Sequence, residues 1–145
     1  MSAELEELYR ELILDHSRHP QGKGDPSAAA HQHHELNPSC GDEITMGVTV
    51  APDGSIERLV WEGQGCSISM ASASVMADLL KGAQKTEALA RVDEFRTMLR
   101  SRGEGEPPES LEDAAAFQGV AKYVMRVKCA MLGWVALEAC VRQSD

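Results

Sequence analysis

Apolar residues recur at helical spacing in the first segment. Leu5, Leu8, Leu12 and Ile13 mark one face, with Glu4, Glu7 and Glu11 on others. This predicts an amphipathic helix that Pro20, Gly22 and Gly24 bring to an end. The small and polar stretch from Asp25 to His34 is predicted as a loop, and it carries His31, His33 and His34. From Glu43 to Val50 the period changes to two. Ile44, Met46, Val48 and Val50 alternate with Thr45, Gly47 and Thr49, the pattern of a half-buried strand. Pro52-Asp53-Gly54 signals a turn, and Ile56 to Trp61 is a second short apolar run, so the two strands form an antiparallel hairpin.

After Gly63-Gln64-Gly65-Cys66 the period returns to helical. Ser67 to Leu80 is rich in Ala and Ser and stops at Gly82; Ser67 or Ser69 can cap it. Thr86 to Leu99 predicts a third helix with Leu89, Val92 and Phe95 inward. Residues 102–110 read as a Gly/Pro/Glu-rich loop, and Leu111 to Phe117 as short helical turns. A last helix is predicted from Val120 to Val141, with Val120, Val124, Val127, Met131, Trp134 and Val135 on its apolar side. Strands first and helices after them imply an α+β fold, a small antiparallel sheet packed against several helices. The length of 145 residues favours one domain over 1–145.

Charge narrows the choice of partners. A formal net charge of −9 disfavours nucleic acid and anionic membranes, both of which attract basic surfaces. It leaves open a protein partner with a basic patch. The charged start, MSAELEELYRELILDH, does not resemble a signal peptide, and no apolar run approaches membrane-spanning length. The four cysteines, Cys40, Cys66, Cys129 and Cys140, are therefore expected reduced in a cytoplasm, where thiols bind metals, catalyse or simply pack.

Three cysteines have a setting that could carry chemistry. In Cys40-Gly41-Asp42 a thiolate and a carboxylate can face one ion if Gly41 turns the chain sharply; the alternative is a loop cysteine beside a solvated aspartate. Cys66 sits where a strand gives way to a helix, and the partial positive charge of a helix start favours a thiolate; the alternative is a small buried residue. Cys129 lies on the last helix near Arg126 and Lys128, cations that favour its ionised form; the alternative is a core cysteine with two solvated cations. Three thiolates and one carboxylate would suit a tetrahedral zinc, although no CxxC spacing is present. Cys140 is eleven residues past Cys129, roughly 16 Å along a helix, too far to share that ion, and reads as a packing residue. His31, His33 and His34 are a competing metal cluster or a plain polar loop. No phosphate loop, dinucleotide fingerprint or GxSxG elbow occurs.

The segments ELILDHSRHPQGKG, LNPSCGDEI, WEGQGCSISMASASVMADLLKG and FQGVAKYVMRVKCAMLGWVALE resemble the SufU branch of the IscU-like iron–sulfur assembly proteins. The resemblance implies an α+β fold, a zinc ion held by Cys40, Asp42, Cys66 and Cys129, and Cys40 as the sulfur acceptor. It implies a SufS-like pyridoxal-phosphate cysteine desulfurase as partner, with a histidine of that enzyme replacing Cys40 on zinc. The sulfur would then pass to an assembly scaffold or a thiol reductant. Scaffolds of the IscU branch carry a histidine where this chain has Lys128, and the SufU branch has an extra segment that residues 86–110 resemble. Both features imply a sulfurtransferase-like role. Two other readings remain: a scaffold for a [2Fe–2S] cluster on the same ligands, and a structural zinc domain.

Overall fold

The alternating run of residues 44–48 forms the middle of the sheet. The computed structural model describes residues 3–144. Strand β2 (Asp42–Val50) lies between β1 (His31–Asn37) and β3 (Ile56–Gln64), and both pairings are antiparallel. Ile44, Met46 and Val48 are buried on one face, as their period of two requires. Pro26 and Ala29 pack over Gly47 on the other face.

The stretch expected as a loop divides differently. Residues 26–28 form one 3-10 turn, whose start is capped by Asp25 accepting the Ser27 N–H at 2.9 Å. His31 then opens β1, so the three histidines stand on an edge strand. The strand period is present there, but in polar residues. Half-buried His31, His33 and Glu35 alternate with exposed Gln32, His34 and Leu36. Their cross-strand partners are Val48, Met46 and Ile44. An edge strand needs only a partner for its backbone, so hydropathy does not reveal it.

The helices are α1 (Ala3–Arg18), α2 (Ser67–Leu80), α3 (Lys85–Arg100) and α4 (Val124–Gln143). Helix α2 is buried almost all round: Ser69, residues 71–77 and Leu80 have little exposure. Its small side chains let α4 come close, where Gly133 faces Ala73. Polar atoms inside this contact are paired. Ser72 donates to the Ala130 carbonyl at 2.6 Å and accepts from the Trp134 indole at 3.0 Å. Phe95 of α3 stacks on Trp134 at 4.0 Å between ring centres, and Phe117 meets Phe95 edge-on.

Two helix expectations need correction. Helix α1 forms, but only Leu12 and Ile13 pack against the core, and Leu8 is 61% exposed. Helix α4 starts at Val124 rather than Val120. The chain over Glu109–Lys122 makes 3-10 turns, longer than the expected Leu111 to Phe117, with a break at Glu112 (φ 48°). Val120 is buried in that segment, whereas Val124 is exposed. Apolar spacing cannot separate 3-10 from α-helical turns over so short a run. Among the described residues no helix is long and apolar enough to cross a membrane.

Cys140 is buried in α4 and donates to the Met46 carbonyl at 3.5 Å. Burial pushes its thiol up to about 12. In the unfolded chain the thiol ionises near its ordinary value of about 8.5. The unfolded form therefore binds fewer protons across the window between these values, and stability falls as pH rises through it. Urea unfolding at about pH 8 and about pH 10 is expected to show this loss, and Cys140→Ala is expected to reduce the loss while costing some stability at both.

Candidate metal centre

Asn37 and Asp42 face each other across the β1–β2 ladder, and four residues between them close the hairpin. The Asn37 carbonyl accepts the N–H groups of Cys40 (3.2 Å) and Gly41 (2.9 Å). Gly41 sits at φ 71°, a left-handed conformation that strains residues with a Cβ, so the expected sharp turn is present. The turn leaves Cys40 exposed and sends Asp42 inward, where it is fully buried.

The Asp42 carboxylate connects the hairpin to α2. One oxygen accepts the Cys66 backbone N–H at 2.9 Å, and the other lies 3.8 Å from the Cys66 sulfur. Cys66 is the N-cap of α2 and uses no side-chain cap hydrogen bond. Neither Ser67 nor Ser69 caps the helix; Ser69 donates back to the Cys66 carbonyl at 3.1 Å, and its hydroxyl lies 3.6 Å from the Cys66 sulfur. Gly65 permits this approach, since a Cβ there would stand 2.4 Å from the Asp42 carboxylate and 2.8 Å from the Ser69 hydroxyl.

Helix α4 supplies the last thiol. The Cys129 sulfur lies 3.3 Å from that of Cys40, and Cys129 is buried. Ligand atoms of Cys40, Asp42 and Cys129 all fall within 4.8 Å of one another. Cys66 adjoins them through Asp42. Burial above all, then hydrogen bonds with Asp42 and Cys40, holds the Cys129 thiol far above the ordinary thiol range. Charge on Cys66, then the hydrogen bond with Cys129, holds the exposed Arg126 guanidinium more firmly protonated. Lys128 is exposed on the same helix.

The donor set fits a divalent metal. None of the ion pairs among the described residues reaches the buried Asp42. A buried carboxylate without a cation is costly, and a metal ion supplies that charge. A tetrahedral zinc with bonds of about 2.0–2.3 Å separates its donors by roughly 3.5 Å. The 3.3 Å Cys40–Cys129 and 3.8 Å Asp42–Cys66 separations lie on either side of that value.

Histidines do not join this group. His33 bonds Glu35 at 2.7 Å and His34 meets Glu43 at 3.6 Å. His33 is four residues before Asn37, or about 13 Å along a strand. Asn37 is the residue that sequence reasoning missed. Its buried side-chain amide donates to the Cys129 sulfur at 3.7 Å, across 92 positions of sequence. Asn37-Pro38 signalled only a loop.

A three-stranded sheet covered by helices, with thiols and a carboxylate gathered at one hairpin tip, defines a small α+β protein with a candidate metal centre. The profile of the NifU-like N-terminal domain matches residues 8–142, and the chain belongs to that family. It is 41% identical to the zinc-dependent sulfurtransferase SufU of Bacillus subtilis, over 99% of this chain and 96% of that one. It is 38% identical to the iron–sulfur cluster assembly scaffold protein IscU of Streptococcus pyogenes serotype M1, over 98% and 87%. Among solved structures, the N-terminal part of a NifU-like protein from Brucella abortus superposes with a TM-score of 0.84 at 26% identity, covering 96% of this chain and 95% of that one. A protein from Fervidobacterium islandicum AW-1, provisionally assigned as a scaffold for the SUF system, superposes with a TM-score of 0.78 at 34% identity, over 90% and 94%.

The thiols differ in access, and alkylation reads that difference. In metal-free protein at neutral pH, iodoacetamide is expected to modify Cys40 first, Cys66 more slowly, and Cys129 and Cys140 last. Peptide mass mapping over time checks the order.

Proposed function

We propose that this protein is a cytoplasmic, zinc-dependent sulfur carrier for iron–sulfur cluster assembly, working as one domain over residues 1–145. It takes persulfide sulfur from a SufS-like pyridoxal-phosphate cysteine desulfurase. One observation carries the reading: of the thiols in the centre, Cys40 alone is exposed, on a turn, while Cys129 is buried in a helix. The 41% identity to a zinc-dependent sulfurtransferase supports it.

Cys40, Asp42, Cys66 and Cys129 would hold the zinc. When bound, zinc keeps the thiols deprotonated and shielded from oxidation. Asp42 holds the turn against α2 through the Cys66 N–H. Cys40, on the exposed turn, can move toward a partner; Cys129, within α4, cannot. The Cys40 thiolate attacks the outer sulfur of the desulfurase persulfide. A new sulfur–sulfur bond forms at Cys40, the bond within the donor persulfide breaks, and the desulfurase thiolate leaves with the electron pair. The Cys40 persulfide then gives its sulfur to an assembly scaffold or a thiol reductant. The Arg126 guanidinium, held protonated by charge on Cys66 and by its hydrogen bond with Cys129, stands beside the thiols.

A second reading rests on the 38% identity to a scaffold protein: a [2Fe–2S] cluster assembled on the same four ligands. Anaerobic reconstitution with iron and sulfide separates the two. A stable chromophore that passes to an apo-protein belongs to the scaffold.

Three outcomes are expected. Untagged protein carries one equivalent of zinc by elemental analysis, and Cys66→Ala loses it. Cys40→Ala abolishes stimulation of a SufS-type desulfurase, and mass spectrometry finds no added sulfur atom on the variant; normal stimulation would overturn the acceptor assignment. Gly65→Ala pushes a methyl group into the Asp42 carboxylate, and its zinc affinity falls about 10–100-fold in a chelator competition while the circular dichroism spectrum is kept.

A further inference from the structure

We infer that Asn37 is a positioning residue of the metal centre: its side-chain amide donates an N–H···S hydrogen bond to Cys129 and makes that sulfur the less reactive one. The inference rests on the proposed ligand set, but its test does not depend on sulfur transfer.

Asn37 touches both sides of the site. Its backbone carbonyl accepts the Cys40 and Gly41 N–H groups and so shapes the exposed turn. Its side-chain nitrogen lies 3.7 Å from the Cys129 sulfur. The residue is only 5% exposed, so water cannot easily replace that donor. A buried amide needs a partner, and a thiolate is a far stronger acceptor than a thiol or a backbone carbonyl already in use. The Cys129 sulfur also lies 3.3 Å from the Cys40 sulfur and 3.8 Å from the Met125 carbonyl, and it pairs with Asp42 and with the Arg126 guanidinium.

The consequence is an asymmetry between two neighbouring thiolates. Among the described residues, no N–H group hydrogen-bonds the Cys40 sulfur. Donation of an N–H withdraws charge from sulfur, which lowers its basicity and its nucleophilicity. Cys129 is thereby shielded from attack at its sulfur, and Cys40 is left as the better nucleophile. Cys66 has a different support: its backbone N–H goes to Asp42, and the Ser69 hydroxyl lies 3.6 Å from its sulfur. Each thiol has its own polar surroundings, and those of Cys40 are the barest.

Cadmium-113 substituted protein tests this without any variant. The Asn37 side-chain amide protons are expected to shift on cadmium binding and to show a scalar coupling to the metal through sulfur. An amide resonance that neither moves nor couples would overturn the inference. Asn37→Leu keeps the size and the backbone carbonyl but has no donor. In cobalt-substituted Asn37→Leu, the thiolate-to-cobalt charge-transfer band is expected to move to longer wavelength. In zinc-loaded Asn37→Leu, the ratio of Cys129 to Cys40 alkylation is expected to rise about 10-fold, the size of a lost hydrogen bond to a charged group. An unchanged band and an unchanged ratio would show that the amide does not act on the sulfur. Loss of zinc from wild-type protein under the same conditions would instead count against the ligand set itself.

Discussion

The buried carboxylate of Asp42 joins the start of β2 to the start of α2 through a 2.9 Å hydrogen bond from the Cys66 N–H. The rest of the centre depends on this contact. It sets where the hairpin tip meets the helix bundle, and therefore where Cys40 and Cys66 stand relative to each other. A carboxylate is suited to the position because it has two oxygens. One is occupied by the backbone, and the other points to the thiols. The approach is so close that residue 65 cannot carry a Cβ without displacing it.

Rigidity around this contact comes from packing of small side chains. Helix α2 is made largely of Ala and Ser, and α4 lies against it with Gly133 facing Ala73. Close backbones leave little room for rotamers to change, and the Ser72–Trp134 and Ser72–Ala130 hydrogen bonds satisfy the polar atoms enclosed there. Phe95 stacked on Trp134 then joins α3 to the same core. Cys129 is buried on α4 where that helix packs against its neighbours, whereas Cys40 is carried on a four-residue turn. Unequal exposure of the thiols is thus a product of the architecture rather than of the cysteines themselves.

This unequal support is what the proposed chemistry requires. A closed four-ligand centre is inert, and transfer of sulfur needs one ligand to be reachable while the others stay. The exposed turn supplies the reachable one. The buried helix and the buried carboxylate would hold the remainder.

Much of this was legible in the sequence. The period of two in residues 44–50, the Ala/Ser-rich run after Cys66 and the breaks at Gly41 and Gly82 are local properties, and the elements they predict are present. The chemistry of Cys40, Asp42, Cys66 and Cys129 was suggested by residue type and by motif resemblance. What escaped was whatever depends on neighbours distant in the chain. Strand β1 is polar because its ladder partner, not its side chains, stabilises it. The turns over Glu109–Lys122 break at Glu112, and α4 begins four residues later than its apolar spacing suggested. The link from Asn37 to Cys129 spans 92 residues. By itself the sequence determined the central hairpin, most of the helices, the fold class and the donor types, because those follow from local periodicity and side-chain chemistry. Only the tertiary structure decided which thiol is exposed, which is buried and what each one touches, because burial is a property of the packed chain and not of any segment in it.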